Sequence, residues 1–158
     1  MKKLFILLAL VLPMVAFVAC DNDDDLPNVK FEVTFDNPVS DGAVYVVAGD
    51  TLTVSSVTVQ NMEADKKAAL TEVAYFFDYY WFGTAVIAPY TYQIVIPASA
   101  KVGTHILELE SNVLAVDKTP AFAVLTYKVE VVASADDLPQ ATTKTLTSTP
   151  TYNDKSKK

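Results

Sequence analysis

The sequence predicts an all-β protein, an antiparallel sandwich of about seven to nine short strands closed without a disulfide. Three observations carry that expectation. Apolar and polar residues alternate with a period of two in one stretch after another, as in Val29-Lys30-Phe31-Glu32-Val33-Thr34-Phe35. Such alternation gives a strand one buried and one wet face. Turn-forming residues separate these stretches at short intervals, and no stretch beyond residue 20 keeps the 3.6-residue period of a long helix. The 158 residues include a single cysteine, Cys20, so burial alone has to hold the core together.

The first element stands outside that core. Met1-Lys2-Lys3 precedes 16 uncharged residues, 4–19. A positive start, a short apolar run and small residues before a junction describe an export signal. The run falls short of the ~20 residues a helix needs to cross a bilayer, so residues 1–19 are expected to be removed. Phe17-Val18-Ala19-Cys20 resembles a bacterial lipobox, in which the cysteine becomes the acylated first residue; Phe17 stands where Leu is commoner. The run Asp21-Asn22-Asp23-Asp24-Asp25 resembles the signal that carries Bacteroidota-type surface lipoproteins to the outer leaflet of the outer membrane. These resemblances imply lipidation of Cys20, anchoring in outer-membrane lipid and a position facing the cell surface. Residues 20–28 then read as an acidic tether. A calcium loop is disfavoured, because neither the Gly nor the closing Glu of that motif is in place.

The strands follow in order. Val29, Phe31, Val33 and Phe35 share one face of the first, and Asn37-Pro38 and Asp41-Gly42 mark turns after it. Residues 43–47 form a short strand closed by Gly49-Asp50. Leu52 and Val54 alternate, then Val57 and Val59 alternate in the opposite phase, so the slip at Ser55-Ser56 predicts a bulge. Residues 60–67 are polar and read as a loop or a helical turn. A strand is expected from residue 68 to 78, with Val73, Tyr75 and Phe77 on one face. Residues 82–87 return, and Ala88-Pro89 breaks the run. Tyr90, Tyr92, Ile94 and Ile96 alternate next. Gly103 turns the chain into a strand on which His105, Leu107 and Leu109 oppose Ile106, Glu108 and Glu110. The last strand, 125–132, places Leu125, Tyr127, Val129 and Val131 inward. The sandwich is thus bounded at 29–132. Residues 133–158 are rich in Thr and polar residues, with little to bury, and are expected to be mostly disordered.

Within this pattern, Thr71-Glu72-Val73-Ala74-Tyr75-Phe76-Phe77-Asp78, Phe82-Gly83-Thr84, Ala88-Pro89-Tyr90 and Val102-Gly103-Thr104-His105-Ile106-Leu107 stand in sequence. They resemble bacterial Ig-like modules with the pattern V-x-V-x-F-y-V-D-G-x-x-I-G-T, A-P-Y, then a-G-x-Y/H-t-L. The resemblance spans about a third of the mature chain and implies an Ig-like sandwich. It implies that Asp78 stabilises a hairpin turn, that Gly83 permits a close backbone, that Pro89 ends an edge strand and that Tyr90 tucks into a corner. This chain departs from the pattern after Asp78: Tyr79 replaces the usual Gly, and Tyr80 and Trp81 occupy the variable turn positions.

Composition narrows the function. Formal net charge is −7, and loss of Lys2 and Lys3 makes it −9; arginine is absent. Nucleic acid is therefore a poor partner, because phosphate recognition leans on dense Lys/Arg patches. With Cys20 taken by lipid, no thiol remains for a metal or a nucleophile. His105, the only histidine, reads as a hydrogen-bonded residue at the core rim. Glu108 and Glu110 share one strand face, whereas a glycosidase needs carboxylates flanking a bond. No cofactor or metal site is expected. Tyr79, Tyr80 and Trp81 are the candidate contact residues, since Tyr and Trp stack on sugars and anchor interfaces; the competing reading packs Trp81 over the sheet edge. Asp50-Thr51-Leu52 resembles a short O-glycosylation motif of exported Bacteroidota proteins, with Thr51 as acceptor. The expected function is a non-catalytic, lipid-anchored surface module that binds glycan or assists nutrient capture. The alternative is a protein-interaction or adhesion module working through the same edge or by strand addition.

Overall fold

The computed structural model describes residues 25–153. The signal segment 1–19, Cys20, the acidic positions 21–24 and residues 154–158 lie outside the described residues. The described residues form eleven strands: β1 (Val29–Ser40), β2 (Ala43–Val47), β3 (Thr51–Asn61), β4 (Ala68–Leu70), β5 (Val73–Phe77), β6 (Tyr80–Ala85), β7 (Tyr92–Val95), β8 (Gly103–Ala115), β9 (Ala121–Val132), β10 (Thr143–Ser148) and β11 (Thr151–Tyr152). Hydrogen-bonded neighbours run β6-β5-β8-β9-β2-β1-β3-β7. The β1–β2 hairpin carries the chain between layers, so β6-β5-β8-β9-β2 stacks on β1-β3-β7. The fold is an all-β, Ig-like sandwich without a disulfide among the described residues. β2 pairs parallel to β9, from Ala43↔Lys128 to Val47↔Val132.

The core follows the alternation in the sequence. Phe31, Val33 and Phe35 from β1, Leu52 and Val54 from β3, and Ile94 from β7 meet Val73, Tyr75, Leu107, Leu109 and Val129 from the other layer, all buried. Ring contacts span the layers: Phe35 meets Tyr127 edge-on at 6.0 Å, and Tyr75 stacks on Tyr92 at 4.8 Å. The expected slip near Ser55-Ser56 is present. Thr34 pairs with Ser56 and Phe35 with Val54, leaving Ser55 as the extra residue.

Several boundaries differ from the sequence reading. Asn37-Pro38 does not end the first strand but sits in a kink within it, where the ladder to β10 shifts between Thr34 and Val39. Proline is admitted there because a bulge needs no ladder donor. The Asn37 side chain replaces the missing ladder, donating to the Thr51 carbonyl at 3.1 Å and accepting from the Thr53 N–H at 2.7 Å. The strand expected over 68–78 divides at Thr71-Glu72, so that β4 pairs Val113–Ala115 of β8 while β5 pairs residues 107–110.

The largest correction concerns residues 133–158. A short 3-10 turn at Ala135–Asp137 leads into β10, which pairs with β1, and β11 then pairs with Val124 and Ala123 of β9. The described part of the tail is therefore sheet, not disorder. Its strand character comes from the open edge of β1 rather than from its own pattern. Leu146 and Tyr152 pack on the core, half-buried. The Tyr127 hydroxyl meets Ser148 Oγ at 2.6 Å.

Strand direction defines two poles. Asp25, Asn28, the 61–67 loop and the β8–β9 turn gather at one: the Thr119 N–H and hydroxyl both bond to Asp25, and the Met62 N–H bonds to the Asn28 carbonyl. Tyr152 joins them by donating its hydroxyl to the Pro27 carbonyl. The described chain therefore begins and ends at the same pole. The β5–β6 turn, the loop of residues 96–102 and the start of β8 form the other, on the order of 40 Å away along β8 at 3.3–3.4 Å per residue.

Candidate functional site at the distal pole

The site begins with a two-residue turn. Asp78 and Tyr79 both take positive φ, 48° and 67°, and Phe77 pairs with Tyr80 across them. Positive φ at both central positions is the hairpin turn that matches strand twist. The turn thus puts a tyrosine, Tyr79, in the left-handed region.

Asp78 is fixed from β8. Its N–H donates to the Ile106 carbonyl at 2.9 Å, and its Oδ1 accepts from the Ile106 N–H at 3.1 Å. Its Oδ2 lies 2.6 Å from His105 Nδ1, while His105 Nε2 lies 2.6 Å from the Lys101 carbonyl. The ring stacks on Phe77 at 5.3 Å. Both ring nitrogens face acceptors, and only the imidazolium has two N–H donors. Burial pushes the His105 pKa down and is the largest single influence. The bonds to Asp78 and the Lys101 carbonyl, with the charges of Asp78 and Glu130, outweigh it and leave the pKa raised. The expected rim histidine is thus present, and it ties the hairpin to the 96–102 loop.

Between these two segments lies a cleft of about 310 Å³. Phe77, Tyr80, Phe82 and His105 form its aromatic walls, Pro97 and Ala100 close one side, and Asp78 and Lys101 bring charge to it. A bulge shapes this wall. Phe76 pairs with Trp81 but Tyr75 with Gly83, so Phe82 is the extra residue. Phe82 meets Phe77 edge-on at 6.4 Å. Gly83 has no side chain where a Cβ would strike the Tyr92 hydroxyl. That hydroxyl instead donates to the Phe82 carbonyl at 2.7 Å.

The structure leaves all three candidate aromatics exposed, Tyr79 by 71%, Tyr80 by 76% and Trp81 by 64%, but it divides them. Successive strand residues point to opposite faces. Tyr80 turns to the cleft, while Trp81 stands beside Phe76 on the outer face of the sheet. Tyr79 occupies the tip. The sequence reading missed Phe82 and Lys101 as cleft residues; the bulge that aims Phe82 inward has no signature in the alternation. Thr51 begins β3, half-buried and paired with Val95 of β7.

A second groove, about 560 Å³, lies at the pole of Asp25 along residues 60–68. Part of its charge is already paired: Glu63 reaches Lys66 at 2.7 Å and Lys118 at 3.2 Å. That groove is wide and polar, whereas the distal cleft combines convergent aromatic rings with a few polar groups, the usual make-up of a ligand site.

No protein-family model matches the chain, and no curated protein matches it. Among solved structures it is similar to the fibronectin(III)-like modules of Clostridium thermocellum CbhA, with 24% identity over 63% of this chain and 93% of that chain and a TM-score of 0.40.

Proposed function

We propose that the protein is a non-catalytic, lipid-anchored binding module of the outer cell surface that captures glycan in the distal cleft. One observation carries this reading: an aromatic cleft opens at the pole opposite Asp25, where the tether enters the fold. A chain acylated at Cys20 and held through residues 21–28 presents that cleft outward. Tyr80 and Phe82 offer ring faces for stacking on a sugar, and Asp78 and Lys101 offer hydrogen bonds to hydroxyls. Each ring contact contributes about 0.5–1.5 kcal/mol beyond area burial, which suits weak capture strengthened by many anchored copies.

The test is a glycan array probed with the full chain and with Tyr80→Ala. Tyr80 is largely exposed, so its truncation should leave melting unchanged while retained glycan falls at least tenfold. An array without a hit, or a hit indifferent to Tyr80, would remove the glycan reading. The second reading, a protein-interaction module, draws on a different observation, the edge of β6 that is free among the described residues and carries Trp81.

A further inference from the structure

The outer face of the five-stranded layer carries a row that the cleft does not use. Trp81 on β6 pairs with Phe76 on β5, Phe76 pairs with Glu108 on β8, and Glu108 pairs with Thr126 on β9. One row down, Ala74 pairs with Glu110. Two aromatic residues therefore occupy neighbouring strand positions beside two carboxylates on one sheet face. Trp81 is 64% exposed.

The charge on this face is unbalanced. Among the described residues, neither Glu108 nor Glu110 forms an ion pair. The nearest lysine on the face, Lys128, is held by Glu130 at 2.6 Å. Burial raises the Glu108 pKa, and the charge of Glu110 raises it further. A cation placed between the rings and the carboxylates would relieve that repulsion and meet the negative faces of the rings as well.

We infer that the Trp81–Phe76–Glu108–Glu110 face docks a polypeptide through an arginine side chain, its guanidinium stacked on Trp81 and forked to Glu108. The geometry suits arginine. Two strand spacings of about 4.8 Å separate the Trp81 and Glu108 backbones. A planar guanidinium stacks on a ring and pairs with a carboxylate at once, which the compact lysine ammonium does less well. The row runs across four strands, from β6 to β9, a length that an extended partner spans and a small sugar does not. This docking surface is separate from the glycan cleft and stands or falls without it.

Trp81 is the only tryptophan, so its fluorescence reports on this face alone. The full chain, held in neutral detergent, is titrated with the peptide acetyl-Gly-Arg-Gly-Arg-Gly-amide. A parallel titration uses the same peptide with citrulline, the uncharged isostere, in place of arginine. The arginine peptide should give a saturable change that added salt weakens. The citrulline peptide should give none. The double variant Glu108→Gln/Glu110→Gln should bind at least tenfold more weakly with its melting temperature retained, while Tyr80→Ala should bind as the parent does. No saturable response to the arginine peptide, an equal response to citrulline, or unchanged binding by the double variant would each overturn the inference.

Discussion

Tyr79 holds the most strained position of the candidate site. An L-residue with a full side chain in the left-handed region costs about 1–2 kcal/mol relative to glycine, which carries no Cβ to clash. Such strain is retained where a side chain serves a contact. Replacing Tyr79 with Gly should therefore raise stability by about 0.5–1 kcal/mol, part of the relief being offset by the entropy of glycine in the unfolded chain. Urea unfolding at constant slope checks it, and a loss of stability would show the ring to be packed. His105 gives a second residue-level expectation. Its folded pKa is raised, so its stabilising contribution is complete below the ordinary value of about 6.5 and is lost as pH rises through the folded value. His105→Gln should accordingly lower the melting temperature more at about pH 5.5 than at about pH 9, since the contribution of the imidazolium declines as pH rises. An equal deficit at both pH values would mean the ring acts by packing on Phe77 alone.

The β5–β6 hairpin and β7 are held together by tyrosines acting as beams between layers. Tyr75 donates its hydroxyl to the Tyr90 carbonyl, Tyr90 donates to the Leu70 carbonyl at 2.8 Å, and Tyr92 donates to the Phe82 carbonyl. Tyr90 packs half-buried against the core with φ of 60°. Gly83 is the joint of this system, because any side chain there displaces the Tyr92 hydroxyl. Gly83→Ala should cost about 1–3 kcal/mol, the usual penalty for overpacking, and should weaken glycan retention by moving Phe82. A variant as stable as the parent would show that Tyr92 swings aside freely. Tyr90→Phe, which removes one hydrogen bond and little volume, should cost only about 0.5–1.5 kcal/mol.

At the scale of the whole molecule, the tail closes the sandwich. β10 covers the edge of β1 and β11 extends the edge of β9 beyond the reach of β2, so one segment joins both layers. Deleting residues 133–158 should cost roughly 2–4 kcal/mol, since Leu146 and Tyr152 each bury part of an apolar side chain worth about 1.5–3 kcal/mol when fully covered. Exposure of the β1 edge should also promote aggregation. A truncated chain that melts with the parent would return the tail to the status of an appendage. The proposed anchor belongs to this scale too. Mass spectrometry of the mature chain should find acyl groups on Cys20, and replacement of Asp21 and Asp23–Asp25 with Ala should leave them in place while surface protease accessibility is lost. An unacylated N-terminus, or unchanged accessibility, would withdraw the anchor or the surface signal respectively.

What the sequence determined by itself is what depends on local pattern. Period-two alternation placed Val33, Tyr75, Leu107 and Val129 in the core, and the phase slip at Ser55-Ser56 located a bulge, because the inward face of a strand is set by parity alone. The turn at Asp41-Gly42 was legible for the same reason: both residues take positive φ, which that pair readily allows. The prominence of Tyr79, Tyr80 and Trp81 was legible as well, but not their division between a cleft and an outer face. That depends on which strand lies beside β6 and on the extra residue Phe82, and both are properties of the assembled sheet. The tail shows the same limit. Thr143-Lys144-Thr145-Leu146-Thr147-Ser148 buries too little to make a strand alone, and becomes one only because β1 offers an unpaired row of backbone groups. The pairing of His105 with Asp78, 27 positions apart, was likewise decided by tertiary structure, since only the register of β5 on β8 brings the two side chains together.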